Sequence, residues 1–239
     1  MKKLLALLVT MSAVLMLSGS AHALEVIGTA TYSGSDYNLV YEADNNGHGL
    51  VWLDYTSGYD TWQNQVNWAN GLNGSGVLTY NLDAGISVTW AEDDWRLPTT
   101  VDGSYVLGYD GTTTKGYNIT TSEMGHMYYE SLGNLGYYAI DGTKLQSGWG
   151  LNNTGPFDNL EPYDYWSGTE YSVYPDYAWH FHFYYGFQNF DNEDYGLSAL
   201  AVRPGDVSAP VPEPATMLLL GSGLAGLGMF RRKIRRRHG

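Results

Sequence analysis

The sequence predicts an α+β domain in which two helices lie among many β-strands. Strand-like runs flank Asn-Gly or Asp-Gly dipeptides at residues 46–47, 110–111 and 141–142. Such dipeptides favour the tight turns whose twist matches that of paired strands. Two further stretches combine an N-terminal capping pattern with apolar residues at helical spacing. These observations together predict hairpins interrupted by two helices.

The three turns are expected to join three pairs of strands: residues 37–43 with 49–54, 105–109 with 112–115, and 137–140 with 143–145. The first helix is expected over residues 60–71, where Asp60 can cap the start and Gly71 suits the end. Its predicted buried face consists of Trp62, Val66 and Ala69.

The second helix is expected over residues 120–132, with Thr120 and Glu123 forming a capping box. Its predicted buried stripe consists of Met124, Met127, Tyr128 and Leu132. Gly133 is expected to end it.

The last third of the domain is predicted to consist mainly of β-strands. Over residues 179–184, aromatic residues alternate with His180, His182 and Tyr184, which is the pattern of a half-buried strand. A turn near Gly186 is expected to lead into residues 187–190. A final strand over residues 198–203 should end at Pro204, followed by a spacer over residues 205–210.

Residues 1–23 have the features of a secretory signal peptide. Lys2 and Lys3 precede an apolar run, and residues 21–23 supply the Ala-x-Ala pattern that signal peptidase cleaves. We expect cleavage after Ala23; the alternative is an N-terminal anchor that stays attached.

The C-terminal segment has three parts: the stiff motif Val211-Pro212-Glu213-Pro214, an apolar run over residues 215–230, and a basic cluster that begins with Arg231 and Arg232. Prolines restrict the motif, and basic residues flank the cytoplasmic side of a membrane helix. In this order the parts resemble the PEP-CTERM sorting signal of Gram-negative, exopolysaccharide-producing bacteria. The resemblance implies export across the inner membrane, transient anchoring through the C-terminal helix, processing by an exosortase, and release to the surface or extracellular space. An ordinary tail anchor is the alternative.

The exported part of the chain is strongly acidic. It holds twenty-four Asp and Glu against four cations, Arg96, Lys115, Lys144 and Arg203, for a formal charge near −20. This surface repels nucleic acid and anionic lipid and attracts cations. The chain has no cysteine, which excludes disulfides, zinc–thiolate sites and cysteine nucleophiles.

Four stretches resemble one family. They are residues 49–54, residues 94–99, residues 122–126, and residues 165–170 together with the aromatic strand that follows. From about residue 47 to residue 204, the chain is similar to the Lcl C-terminal domain family. We expect the whole domain to span residues 24–204, from the end of the signal peptide to the end of this match. The resemblance implies a fold like that of C-type lectins and formylglycine-generating enzymes, with two helices and a twisted, mostly antiparallel sheet. It also implies an adhesin-like protein that binds polysaccharide.

Three sets of residues are candidates for specific roles. Aromatic rings that can stack on sugars are Tyr163, Tyr165, Tyr174, Tyr177 and Trp179. Possible metal ligands, with Ca²⁺ the favoured ion for the acidic loop, are Asp158, Glu161, Asp164, His180 and His182. A structural role is expected for Trp95, Arg96, Pro98, Trp166 and Arg203. A solvated strand face is the alternative for the histidines, and packing in the core is the alternative for each aromatic residue.

Three functions remain open from the sequence. The first is a non-enzymatic surface or matrix protein that binds exopolysaccharide. The second is a polysaccharide hydrolase, since many carboxylates are present although nothing selects one pair. The third is a structural matrix component without a defined ligand.

Overall fold

The computed structural model describes residues 24–91 and 94–208. Its strands are β1 (Leu24–Tyr32), β2 (Ser35–Asn45), β3 (His48–Leu53), β4 (Leu78–Leu82), β5 (Ser87–Trp90), β6 (Leu107–Gly108), β7 (Lys115–Tyr117), β8 (Asp164–Glu170), β9 (Tyr177–His182), β10 (Phe187–Asn192) and β11 (Ala201–Ser208). Its helices are α1 (Trp62–Gly71) and α2 (Glu123–His126), and a π-helical turn (Met127–Ser131) continues α2.

These strands form two sheets. The order is β4-β1-β2-β3-β11-β5 in the six-stranded sheet and β6-β7-β10-β9-β8 in the five-stranded sheet. Every pairing is antiparallel except that of β6 with β7. The predicted α+β class is therefore confirmed.

The Asn46-Gly47 turn joins β2 to β3, as the sequence predicts. Both residues have positive φ, 55° and 88°, as an Asn-Gly tight turn requires. The N–H of Gly47 donates to Asp44 Oδ1 at 2.8 Å, and Asn45 pairs with His48 across the turn. Local turn chemistry fixes this hairpin.

The other two predicted hairpins differ from expectation. β6 and β7 flank residues 110–111 but pair in parallel, so that hairpin prediction is wrong. The carboxylate of Asp110 accepts hydrogen bonds from the N–H and hydroxyl of Thr112, which closes a turn inside the loop. The chain then reverses a second time before β7. At residues 141–142 the chain does reverse, although only a single antiparallel bridge forms there.

Helix α1 begins at Trp62, with Thr61 rather than Asp60 in the N-cap position. Asp60 accepts the N–H of Thr61 instead of capping the first turn. The predicted apolar face is confirmed, since Trp62 and Ala69 are buried and Val66 packs against the same core. The helix also ends where the sequence predicts.

Helix α2 is capped by Ser122, whose hydroxyl accepts the Gly125 N–H at 3.1 Å. The predicted capping box of Thr120 and Glu123 is therefore wrong. The Glu123 carboxylate instead binds both guanidinium nitrogens of Arg96, at 2.7 and 2.8 Å. The predicted buried stripe is confirmed at Met124, Met127, Tyr128 and Leu132.

Strand β9 is covered on both faces. Trp179 and Phe181 are buried on one face, but His180, on the other, is also buried, with its ring 6.0 Å from that of Trp166. The prediction of a half-buried strand is wrong at this residue because tertiary packing covers the second face.

Strand β11 runs beyond Pro204 to Ser208 and pairs with β5 along residues 205–208. The predicted spacer therefore begins too early, since its first four residues belong to the sheet.

Two hydrophobic clusters form the core. The first packs α1 against the six-stranded sheet and contains Trp95 and Trp166, both fully buried. The second contains Trp52, Tyr128 and Phe181 and packs α2 and the π-helical turn against strands of both sheets.

The remaining residues expected to be structural join neighbouring segments. The carbonyl of Pro98 accepts the N–H of Gly168 at 2.8 Å. The guanidinium of Arg203 lies over the Trp90 ring, 4.6 Å from its centroid, and 3.6 Å from a carboxylate oxygen of Asp94.

Candidate functional site: an aromatic cleft beside the five-stranded sheet

An open cleft of about 830 Å³ lies beside the five-stranded sheet. Its lining residues are Asp102, Gly103, Ser104, Tyr105, Tyr171, Ser172, Val173, Tyr174 and Phe190. They come from three separate parts of the chain: the loop before β6, the turn after β8, and strand β10. Aromatic rings and one carboxylate therefore meet in one concave surface.

The aromatic rings of the cleft are held by the sheet beneath them. Phe190 on β10 pairs with Trp179 on β9, and its ring stacks on that of Tyr171 with centroids 4.2 Å apart. The Tyr174 N–H donates to the Tyr171 carbonyl at 3.1 Å, which closes the turn after β8. Tyr105 completes the group, with its ring edge-on to Phe190 at 5.6 Å.

Two tyrosines of the cleft offer their rings to solvent. Tyr105 is 57% exposed and Tyr174 is 56% exposed, whereas the Tyr171 ring between them is buried. Aromatic rings are rigid and amphipathic, so they present a large contact area at low entropic cost. The exposed rings are suited to stacking against a ligand with an apolar face.

Among the residues described, Asp102 is the one carboxylate that lines the cleft. It accepts a hydrogen bond from Trp179 Nε1 at 2.9 Å and contacts the Ser172 N–H at 3.3 Å. Burial alone would raise the pKa of Asp102, but the hydrogen bonds from Ser172 and Trp179 outweigh it and hold the pKa below its usual range. The side chain is therefore an ionised acceptor at neutral pH, fixed in position by the wall of the cleft.

Lys115 lies at the edge of this aromatic group. Its ammonium nitrogen is 4.3 Å from the ring centroid of Tyr105 and 4.9 Å from that of Phe190. Both distances are within the range of a cation–π interaction. The two rings therefore already contact a primary ammonium that belongs to the chain.

A second, smaller cleft of about 380 Å³ lies near the start of α1. Tyr163 and Glu161 line it, together with Tyr59, whose ring is 5.6 Å from that of Tyr163. Several of its other polar groups have partners inside the protein, such as Thr56, which bonds the carbonyl of Asn159. This cleft has less than half the volume of the aromatic cleft.

The structure separates the residues expected to face carbohydrate. Tyr174 lies in the aromatic cleft and Tyr163 in the smaller one, while Tyr177 is half-buried next to Phe190. Tyr165 and Trp179 are buried and cannot face a carbohydrate, which corrects that expectation. Their polar atoms bond within the protein, Tyr165 to Thr56 and Trp179 to Asp102.

The expected metal ligands do not form a metal centre. His180 Nδ1 lies 3.1 Å from Asp164 Oδ1, and His182 Nε2 lies 3.7 Å from Asp164 Oδ2. Asp158 and Glu161 belong to the loop before β8, where Asp158 accepts a hydrogen bond from Asn38. Within residues 24–91 and 94–208, no group of three or more His, Asp or Glu side chains is arranged to hold a metal ion. The expected Ca²⁺ site is therefore not assembled from these residues.

Sequence reasoning did not identify Asp102, Tyr105 or Phe190. Asp102 is separated by 70 and 77 residues from its partners Ser172 and Trp179. The one sequence signal for this cleft is the density of tyrosines over residues 171–177, which led to Tyr174.

The described part of the chain contains no helix long and apolar enough to cross a membrane. The predicted signal peptide and the predicted membrane segment over residues 215–230 lie outside the described residues.

Two family models match the chain. The PEP-CTERM protein-sorting motif matches residues 210–236, and the Lcl C-terminal domain matches residues 42–203. No curated protein and no solved structure matches it. The sorting motif marks an exported surface protein that is processed by an exosortase after transient anchoring in the membrane. Since residues 42–203 make up more than half of the 239 residues, the chain belongs to the Lcl C-terminal domain family.

Proposed function

We propose that this protein binds exopolysaccharide at the cell surface or in the extracellular matrix, without cleaving it. The observation that carries the proposal is the aromatic cleft, whose lining combines the exposed Tyr105 and Tyr174 with the fixed carboxylate of Asp102. Signal peptidase would remove residues 1–23, and the exosortase would then release the domain from its anchor.

The chemistry of the cleft suits a sugar chain. Sugar rings present apolar C–H faces that stack on aromatic rings, and hydroxyl groups that donate hydrogen bonds to carboxylates. The carboxylate of Asp102 accepts hydrogen bonds from Trp179, Ser172 and Gly103, and it is only partly buried, so a sugar hydroxyl can also reach it. The open shape of the cleft allows a polymer to pass through rather than end inside.

The single carboxylate favours binding over hydrolysis. Glycosidases place two carboxyl groups about 5–10 Å apart across the scissile bond. Of the residues that the structure describes, Asp102 is the one acidic residue that lines this cleft, and its lowered pKa is opposite to what a general acid requires.

We also propose that the domain has the arrangement of C-type lectins and formylglycine-generating enzymes. In support, the chain combines two short helices with mostly antiparallel sheets and a long stretch of loops and short elements between β5 and β8. An experimental structure superposed on those folds tests this assignment.

The binding proposal is tested with the full-length chain in mild detergent, by retention on insoluble and soluble polysaccharides of neutral, acidic and amino-sugar types. We expect Tyr105→Ala and Tyr174→Ala each to weaken binding about 5–30-fold, because each removes an exposed stacking ring. Tyr195→Ala is the matched control, since Tyr195 is 57% exposed and lies outside both clefts.

Other outcomes would contradict the proposal. Retention that Tyr59→Ala abolishes and Tyr105→Ala leaves unchanged would move the site to the smaller cleft. New reducing ends in the polysaccharide would indicate a hydrolase. Absence of binding to every polymer, together with self-association, would indicate a structural matrix component.

A further inference from the structure

The charges around the aromatic cleft indicate which class of polysaccharide it takes. We infer that the cleft binds polymers that carry free primary amino groups, of the kind found in a partly de-N-acetylated amino-sugar chain. This inference rests on the function proposed above and narrows it.

Asp102 supplies a charged group that favours an amine on the ligand. Its carboxylate lies in the wall of the cleft, ionised, and the groups that donate hydrogen bonds to it, from Trp179, Ser172 and Gly103, are all uncharged. No ion pair within residues 24–91 and 94–208 involves this side chain. Any donor to an ionised carboxylate makes a charge-assisted hydrogen bond, and an ammonium donor adds the Coulomb attraction between opposite charges. An ammonium group on a ligand would therefore gain more from Asp102 than a hydroxyl or an acetamide would.

The rings of Tyr105 and Phe190 line the same cleft. The ammonium of Lys115 lies within 5 Å of both ring centroids, so a cation of the chain itself already contacts this pair. The electron-rich faces of aromatic rings attract cations and gain less from neutral groups. The carboxylate of Asp102 therefore carries the preference for a positive charge on the ligand, and the charge of Lys115 opposes it.

The net negative charge of the whole domain also favours a positively charged ligand. Twenty-four acidic side chains stand against four cations in residues 24–210, so the surrounding field attracts polycations and repels uronate or sulfate polymers. This field would attract any polycation regardless of the cleft. A test must therefore distinguish the general electrostatic attraction by the domain from specific binding in the cleft.

The test measures the affinity of the full-length chain for three immobilised polymers of equal length: a glucosamine polymer, its fully N-acetylated form, and polylysine. At about 0.15 M salt we expect the amine form to bind about tenfold more tightly than the acetylated form. Asp102→Asn should remove most of this preference. Asp83→Asn, the matched control, loses the same charge at an exposed turn residue outside the cleft and should keep the preference.

A second variant acts in the opposite direction. Lys115→Met keeps an unbranched side chain over the two rings but removes the positive charge beside the cleft. It should therefore tighten binding of the amine polymer by a few-fold.

Equal binding of the amine and acetylated forms would overturn the inference and leave the proposed function intact, whereas absence of binding to both would overturn both. Polylysine binding as strong as that of the amine polymer, and equally affected by Asp102→Asn, would show that the cleft recognises lysine-rich polypeptide instead. Equal losses in Asp102→Asn and Asp83→Asn would show that only the net charge of the domain matters.

Discussion

The carboxylate of Glu42 is fully buried, and side chains from β2, β3 and the helical segment surround it. Trp52 Nε1 and Asn45 Nδ2 each donate to it at 2.8 Å, Ser131 donates through its hydroxyl, and His126 Nδ1 lies 3.1 Å away. A buried carboxylate is tolerated only when donors fill its lone pairs. Glu42 therefore joins the six-stranded sheet to α2 and the π-helical turn.

Replacing Glu42 by Gln keeps the size of the side chain but removes its negative charge and one acceptor oxygen, which weakens the hydrogen bonds that the buried donors make to it. We expect Glu42→Gln to reduce the free energy of unfolding by about 2–4 kcal/mol. Urea unfolding followed by tryptophan fluorescence measures the change. Glu25→Gln, at an exposed position on β1, is the control and should change the free energy by no more than about 0.5 kcal/mol. Equal effects of the two substitutions would show that the network around Glu42 does not stabilise the fold.

At the scale of elements, contacts between acidic and histidine side chains join β8, β9 and β10. His180 lies between Asp164 and Asp191, and His182 lies beside Asp164 and the ring of Tyr185. Burial lowers the pKa of His182, the nearby Asp164 carboxylate raises it, and His180 lowers it further, so that the net shift is downward. The folded protein therefore takes up a proton on His182 less readily than the unfolded chain does.

This shift predicts a loss of stability in mild acid. Above the ordinary histidine pKa, near 6.5, both states are neutral at this residue and its contribution to stability is fully present. As the pH falls through 6.5 toward the lower folded pKa, the unfolded chain binds the proton first and the free energy of unfolding decreases. Urea unfolding between pH 7.5 and 5 should show this decrease in the wild type, a smaller one in His182→Gln, and a larger one in Asp164→Asn. An unchanged profile in His182→Gln would contradict the assignment.

The elements that the sequence predicts well are those decided by local chemistry. The Asn46-Gly47 turn needs only its two residues, and the buried face of α1 follows from the spacing of Trp62 and Ala69. Where distant residues compete, sequence reasoning fails. Glu123 binds the guanidinium of Arg96 and does not form the predicted capping box, and Ser122 caps α2.

At the scale of the whole molecule, the candidate site could be predicted only in part. Tyr174 lies in a tyrosine-rich stretch and was therefore a reasonable candidate. Asp102 and Tyr105 join it only because β8, β9 and β10 bring residues 70 or more positions apart into contact. The same sheets bury Tyr165 and Trp179, which in the sequence look no different from the exposed aromatic residues.

In the proposed function, the acidic surface and the aromatic cleft together recognise the ligand. Rings of Tyr105 and Tyr174 supply contact area, and Asp102 supplies a fixed charge. The sorting motif implies export of the domain to the outside of the cell.

The most direct test of this account is hydrogen–deuterium exchange of the full-length chain with and without a saturating amino-sugar polymer. A bound polymer should slow exchange at residues 102–105 and 171–174, which form the two walls of the aromatic cleft. Exchange at residues 57–59 and 161–163, in the smaller cleft, should not change. Protection confined to the smaller cleft, or no protection anywhere while the polymer is bound, would contradict the account.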